Sequence, residues 1–374
     1  MNLQFVNARW RDGQSLDLAV VDGRLAGRGD GPRLDLGGAR VLPGLINAHD
    51  HLHLNGALPR LGYRDHYRNA SEWIADISPR LGTDPLLLAH RAQPRAQRLR
   101  AGGLKNLLSG VTTVLHHDPR DAVLDDPAFP VDAPAPAGWS HSLALDGEEA
   151  VRESRQAAAG GLWVVHAAEG VDAAAGLEFE RLDALGCIEP GSLLVHGLGL
   201  SAAQQRRLVD AGGAVVWCPG SNLHLFGRTL DPAWLAAQGR LVLGSDSRIS
   251  GGRDLLEELV LVRALTGWSD ERLETWVTAD AAAVLGLPDR GRLAPGLRAD
   301  LIALPPGLPL AGATRADLRL VVMGGRALYA DADLGEALGL VPVVVDGRAK
   351  ALAPHLLAGA AEPGLAARRE EVPA

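Results

Sequence analysis

The chain has 374 residues, 47% of them hydrophobic, a length that holds one large enzyme domain and a small accessory one. A formal net charge of −8 sets the surface against nucleic acid. The opening MNLQFVNARW has neither the charged flank nor the apolar core of a signal peptide, and no run of about 18 or more apolar residues predicts a membrane span.

Residues 1–42 read as short strands and turns, with Asp22-Gly23 between apolar runs as a hairpin signal. Strand-like runs return near the other end, at 300–305, 318–330 and 340–349. A β unit built from both termini, 1–42 with 293–350, would enclose everything between. Residues 43–292 alternate short apolar strands with longer helical stretches. The strands are LINAHDH (45–51), VTTVLHH (111–117), HSLAL (141–145), LWVVHAAE (162–169), LLVHG (193–197), AVVWCP (214–219) and LVLGSDS (241–247). Helical stretches include PLLLAHRAQPRAQRLRAGGLKNLLSG, broken by Pro94, then EEAVRESRQAAAG, SAAQQRRLVDAGG and DLLEELVLVRALTG. Such alternation predicts parallel sheet, and this many units over 43–292 suit a (β/α)8 barrel. The segment 118–140, rich in Pro, Ala and Asp, shows little helix and predicts a degraded unit and a distorted barrel. Residues 351–374 read as a loose helix and a frayed tail. Two cysteines, Cys187 and Cys218, make no disulfide framework, so the expected compartment is the cytoplasm.

Polar residues stand where the central strands end, and a barrel gathers its chemistry at those ends. His49 and His51 are two apart on a strand and share a face. His166 closes LWVV, His196 closes LLV, and Asp246 follows LVLG. Imidazole suits zinc and iron, and a carboxylate completes the shell. A site of three His and one Asp leaves room for a water, whose pKa a metal lowers from 15.7 to about 7. Glu169, just past His166, faces substrate and can carry a proton to a leaving nitrogen. Taken singly, each is ordinary: a His-x-His pair arises by chance, a lone histidine sits satisfied in a core, and Asp246 can cap a helix. Apolar strand ends have no need of imidazole, so the combination outweighs those readings.

The run PGLINAHDH (43–51) resembles the His-x-His strand of the amidohydrolase superfamily. The resemblance continues through SGVTTVLHH (109–117), VVHAAEG (164–170), LLVHGLGLS (193–201), WCPGSNLHL (217–225), LGSDS (243–247) and residues 278–304. It implies an α/β fold: a distorted TIM (β/α)8 barrel with a small β-sandwich from both termini. The His166–Glu169 spacing is similar to the branch of cytosine deaminase, S-adenosylhomocysteine deaminase and triazine hydrolase. That branch implies His49, His51, His166 and Asp246 as ligands of a single divalent ion, zinc first, with iron or manganese as alternatives. It implies Glu169 as proton shuttle and His196 as the group that orients the nucleophile or polarises the attacked carbon. Asp246 would also take a proton from the water. Binuclear members carry a carboxylated lysine, and neither Lys105 nor Lys350, the only lysines, is placed for that. His116, His117 and His141 stand at strand ends as supporting hydrogen-bond groups.

The expected partner is a small molecule, with a homo-oligomer left open. The loop 52–73 holds Tyr63 and Arg64 and either grips substrate or is a solvated loop anchored by Tyr and Trp73. Asn222, in the family's Ser-Asn motif, and Arg228, by position alone, are further candidate contacts, as is His117. The leading expectation is hydrolytic deamination of an amino-substituted purine, pyrimidine or pterin-like heterocycle. Amide hydrolysis, cyclic or linear, and chlorohydrolysis are alternatives on the same site. A non-catalytic scaffold is the alternative of another class, disfavoured because no ligand is missing.

Overall fold

The two ends of the chain are joined by strand pairing. In the computed structural model, which describes residues 2–10, 12–357 and 362–367, the terminal segments form an 11-stranded sheet. The junction is Arg40–Pro43 against Leu301–Leu304, antiparallel, with Pro43 opposite Leu301. Asp22-Gly23 makes the expected tight hairpin, with φ of 49° and 77°, values that suit the twist of the flanking strands.

The expected helix after residue 351 is not formed among the described residues. Residues 351 and 352 finish the strand Arg348–Leu352, Pro354–Leu356 is a single short turn, and Leu365–Ala367 pairs with Val341–Val345. Pro354 and Pro363-Gly364 interrupt any helical run there, and Glu362 is buried where it meets Arg248 and Arg315. The terminal sheet thus extends past residue 350. The rest of the expected tail lies outside the described residues.

The middle of the chain is α/β with parallel sheet. Five strands lie in the order Leu241–Leu243, Ala214–Trp217, Ser192–His196, Trp163–Ala167 and Gly138–Ser142; Leu45–Asp50 pairs in parallel with Val111–His116. The strands 45–50, 111–116, 163–167, 192–196, 214–217 and 241–243 are buried at every position, as expected of parallel strands covered on both faces. The two sheets are stitched together where the site lies: Asp246 N donates to His49 O at 3.1 Å, and Ser245 N to Asn47 Oδ1 at 3.0 Å.

Two local expectations shift and a third holds. HSLAL is not a strand to its end, because Ser142 accepts from Leu145 N and starts the turn Leu143–Asp146. The loop 52–73 runs into a helix, Ala70–Arg80, whose first turn Asn69 caps from Glu72 N. Segment 118–140 holds little helix, as expected: the short turn Ala122–Asp125 precedes the start of the strand Gly138–Ser142.

Candidate metal centre and cavity

His49, His51, His166, His196 and Asp246 are each more than nine-tenths buried and arrive from four different strand ends. His49 and Asp246 approach with Nε2 and Oδ1 3.7 Å apart, and His51 Nε2 lies 3.9 Å from the same Oδ1. His51 Nε2 is 3.3 Å from His166 Nε2. Ligand bonds of about 2.0–2.2 Å at tetrahedral angles set donors about 3.3–3.6 Å apart, so these atoms are close to the edges of a coordination shell.

The backbone is bent to bring them there. His196 and Asp246 have φ of 71° and 55°, and Ala168, just after His166, has 52°. Left-handed backbone at non-glycine residues costs energy and clusters at functional sites. Gly244 is needed beneath His49, since a Cβ there would stand 2.7 Å from His49 Cβ.

Three of the four imidazoles are oriented from behind. His51 Nδ1 donates to Asp118 Oδ2 at 2.7 Å, His166 Nδ1 to His141 O at 2.8 Å, and His196 Nδ1 to Asn222 Oδ1 at 2.9 Å. Those bonds fix the tautomers with the Nε2 lone pairs facing inward. Lone pairs of His51 and His166 meeting at 3.3 Å repel unless a positive charge lies between them. Neither ring nitrogen of His49 has a protein partner, although both are buried. The residues present therefore fit a divalent ion.

The electrostatics agree. Burial lowers the His49 pKa to about 4 and holds His166 well below its usual value, leaving neutral imidazoles. At His51 burial pulls the pKa down, but Asp118, Asp246 and Asp50 outweigh it and raise it to about 9. The pocket thus favours positive charge. Asp246, despite burial, is held well below the carboxylate range by His49, His51 and His196. It accepts from Ser247 N at 2.7 Å and Ser250 Oγ at 2.8 Å. Glu169 is moved the other way, because burial raises its pKa against the pull of His196. Its Oε1 is 3.5 Å from His196 Nε2.

A cavity of about 490 Å³ opens over this group; His51, His141, His166, Glu169, His196 and Asp246 line it. Five other sequence candidates lie off its wall. Arg64 is held at the surface by Asp76, at 2.6 Å, and Tyr63 stacks on Trp73 at 5.9 Å, since the unforeseen helix 70–80 captures both. Arg228 is exposed and away from the cavity. His117 stacks behind His166 with ring centres 4.3 Å apart and bonds Ser140 O. Asn222 meets His196 rather than the cavity. Of the remaining histidines, His116 contacts the backbone at Asp50 and Leu52.

Asp118 and Lys105 escaped the sequence reading. Asp118 follows His116-His117 directly, at the same strand end. Lys105 is fully buried beneath the site, 2.9 Å from Asp50 Oδ2 and from Asn55 Oδ1, and 3.2 Å from Asp246 O. Strand alternation was the available signal: Asp50 lies between His49 and His51 and so faces the opposite side, toward this lysine.

The strand ends bring His49, His51 and Asp246, and also His49, His166 and His196, into groups whose ligand atoms lie within 4.8 Å of one another, a donor set that suits a divalent ion. The amidohydrolase family model matches residues 157–347, just over half the chain, and the chain belongs to that family. An 8-oxoguanine deaminase of Pseudomonas aeruginosa is 32% identical over 48% of this chain, although the match spans only 44% of that protein. A 5-methylthioadenosine/S-adenosylhomocysteine deaminase of Halobacterium salinarum is 28% identical over 83% of this chain and 87% of its own. The fold is shared with a zinc-bound adenosine deaminase from Xanthomonas campestris: TM-score 0.69, 19% identity, 87% of this chain and 92% of that one. It is shared equally with a zinc-complexed atrazine chlorohydrolase from Arthrobacter aurescens: TM-score 0.69, 19% identity, 87% and 95% covered. Among the described residues no helix is long and apolar enough to cross a membrane.

Proposed function

We propose that the chain is a metal-dependent hydrolytic deaminase acting on an amino-substituted heterocycle of purine, pyrimidine or pterin type. The observation that carries this is Glu169, a largely enclosed carboxyl with a raised pKa, 3.5 Å from His196 and beside Asp246 on the cavity wall. His49, His51, His166 and Asp246 would hold one divalent ion, zinc first. Bound there, the ion supplies Lewis acidity that lowers the pKa of a water toward 7. Asp246 accepts a proton from the attacking water. Glu169 carries a proton to the leaving nitrogen, and His196, fixed by Asn222, polarises the attacked carbon. The curated deaminase relatives support this substrate class.

A single ion is favoured on two grounds. Lys105 Nζ is engaged by Asp50, Asn55 and the backbone, and Lys350 by Asp331 in the terminal sheet, so neither is free for a carboxylated bridge. His53, His116 and Asp118 also converge, but Asp118 is committed to His51, and the charge of Arg95 bears on His53. We place the donors at the mouth of a distorted (β/α)8 barrel over 43–292, with 1–42 and 293–350 as a β-sandwich. Both cysteines are buried and unpaired, which suits the cytoplasm.

Metal-loaded protein incubated with aminopurines, aminopyrimidines and aminopterins is expected to release ammonia and leave the ring intact. Imidazolonepropionase, represented in Deinococcus deserti at 40% identity over 33% of this chain, keeps amide hydrolysis as the second reading. A new carboxylate without ammonia would favour it, and no turnover of either kind would reject the deaminase.

A further inference from the structure

One part of the cavity wall carries charge that the reaction does not use. Arg91 lies in the last turn of the helix Pro85–Ala92, Arg95 and Arg98 in the first turn of Arg95–Leu108, and all three line the cavity. Arg91 and Arg98 have no carboxylate partner among the described residues, and Arg95 has only Asp121, 3.8 Å away. Their bonds run to backbone carbonyls: Arg91 to Leu81 O at 3.0 Å, Arg95 to Pro119 O at 2.9 Å, Arg98 to Gln93 O at 3.3 Å. Burial together with the charges of Arg95 and Arg91 lowers the Arg98 pKa, which marks the three as neighbours that repel. In a chain of net charge −8 such a group is unusual. Most arginines elsewhere, such as Arg40, Arg290 and Arg315, sit in ion pairs.

The placement also works against the helix that carries it. Arg95 and Arg98 stand at a helix start with no acidic residue in the first turn and no side-chain cap. Cations there oppose the helix dipole, and a bound anion reverses the sign of that cost. The same wall carries apolar side chains, among them Leu54, Ile74, Ile77 and Leu87, along with the polar His53, His90 and Asp118.

We propose that Arg91, Arg95 and Arg98 form a subsite for an anionic group of the substrate, a carboxylate or phosphate, joined through an apolar spacer to the heterocycle that reaches Glu169. The guanidinium forks suit either oxyanion. This rests on the deaminase reading for the other end of the substrate.

Benzoate and phenyl phosphate titrated calorimetrically into metal-loaded protein probe the subsite without turnover. Arg95→Gln and Arg98→Gln are each expected to weaken binding about tenfold, and the tighter probe identifies the oxyanion. Binding unchanged in both variants would overturn the proposal. A kinetic arm compares an amino-purine nucleoside with its 5′-carboxylate and 5′-phosphate. The kcat/KM ratio, anionic over neutral, should exceed one and fall about tenfold in Arg98→Gln. Deamination of neutral and anionic forms alike, unmoved by Arg98→Gln, rejects the subsite and keeps the deaminase. Anion binding that needs Arg95 and Arg98, without ammonia from any heterocycle, keeps the subsite and rejects the deaminase.

Discussion

Glu169→Gln is expected to lower kcat by about 10²–10⁴ while metal content stays at the wild-type level. Glutamine keeps the size of the side chain and cannot carry the proton. Glu169 contacts His196 at 3.5 Å and makes no ion pair with the remaining imidazoles, so its loss should leave the donor set intact. Its raised pKa is what the role requires, because a carboxyl that ionises nearer neutrality both takes and returns a proton. Steady-state kinetics beside a metal assay check both halves. Turnover near wild type would remove Glu169 from the mechanism, and lost metal would make it a ligand.

Lys105→Met should destabilise the protein by about 3–5 kcal/mol, the range for removing one partner of a buried ion pair. Lys105 and Asp50 are both fully buried, with side chains entirely enclosed. Asn55 and Asn106 would still donate to Asp50, at 2.9 and 2.7 Å, but its ammonium partner would be gone. Because Nζ also bonds Asp246 O, metal affinity should fall with stability. Guanidinium unfolding of the metal-loaded protein measures the loss. Arg68→Ala, which removes a solvent-screened surface pair with Glu72, provides the contrast, with a much smaller loss expected. Equal losses in the two variants would contradict a supporting platform beneath the site.

The donors were legible because buried parallel strands make imidazoles conspicuous. His49, His51, His166, His196 and Asp246 each interrupt or end an apolar run, and the structure gathers them into overlapping groups of three. Asp118 was not legible, because an Asp before Pro119 reads as an ordinary turn residue and its partner His51 is far away in sequence. The Asp50–Lys105 pair has the same cause: strand alternation says which way Asp50 points but not what it meets. Tyr63 and Arg64 misled for a physical reason. Aromatic and basic side chains in a loop suit a helix surface as well as a ligand, and the helix 70–80 took them. Conversely, nothing in the helical stretch that holds Arg95 and Arg98 singled them out, and only the structure puts them on the cavity wall.

Zinc X-ray absorption on the wild type and on His166→Ala tests the central claim most directly. The account predicts one tightly held ion per chain, with three imidazole nitrogens and one or two oxygens at about 2.0–2.2 Å, and loss of that ion in the variant. A wild type that takes up no stoichiometric ion, or a variant with unchanged content and spectrum, would contradict it.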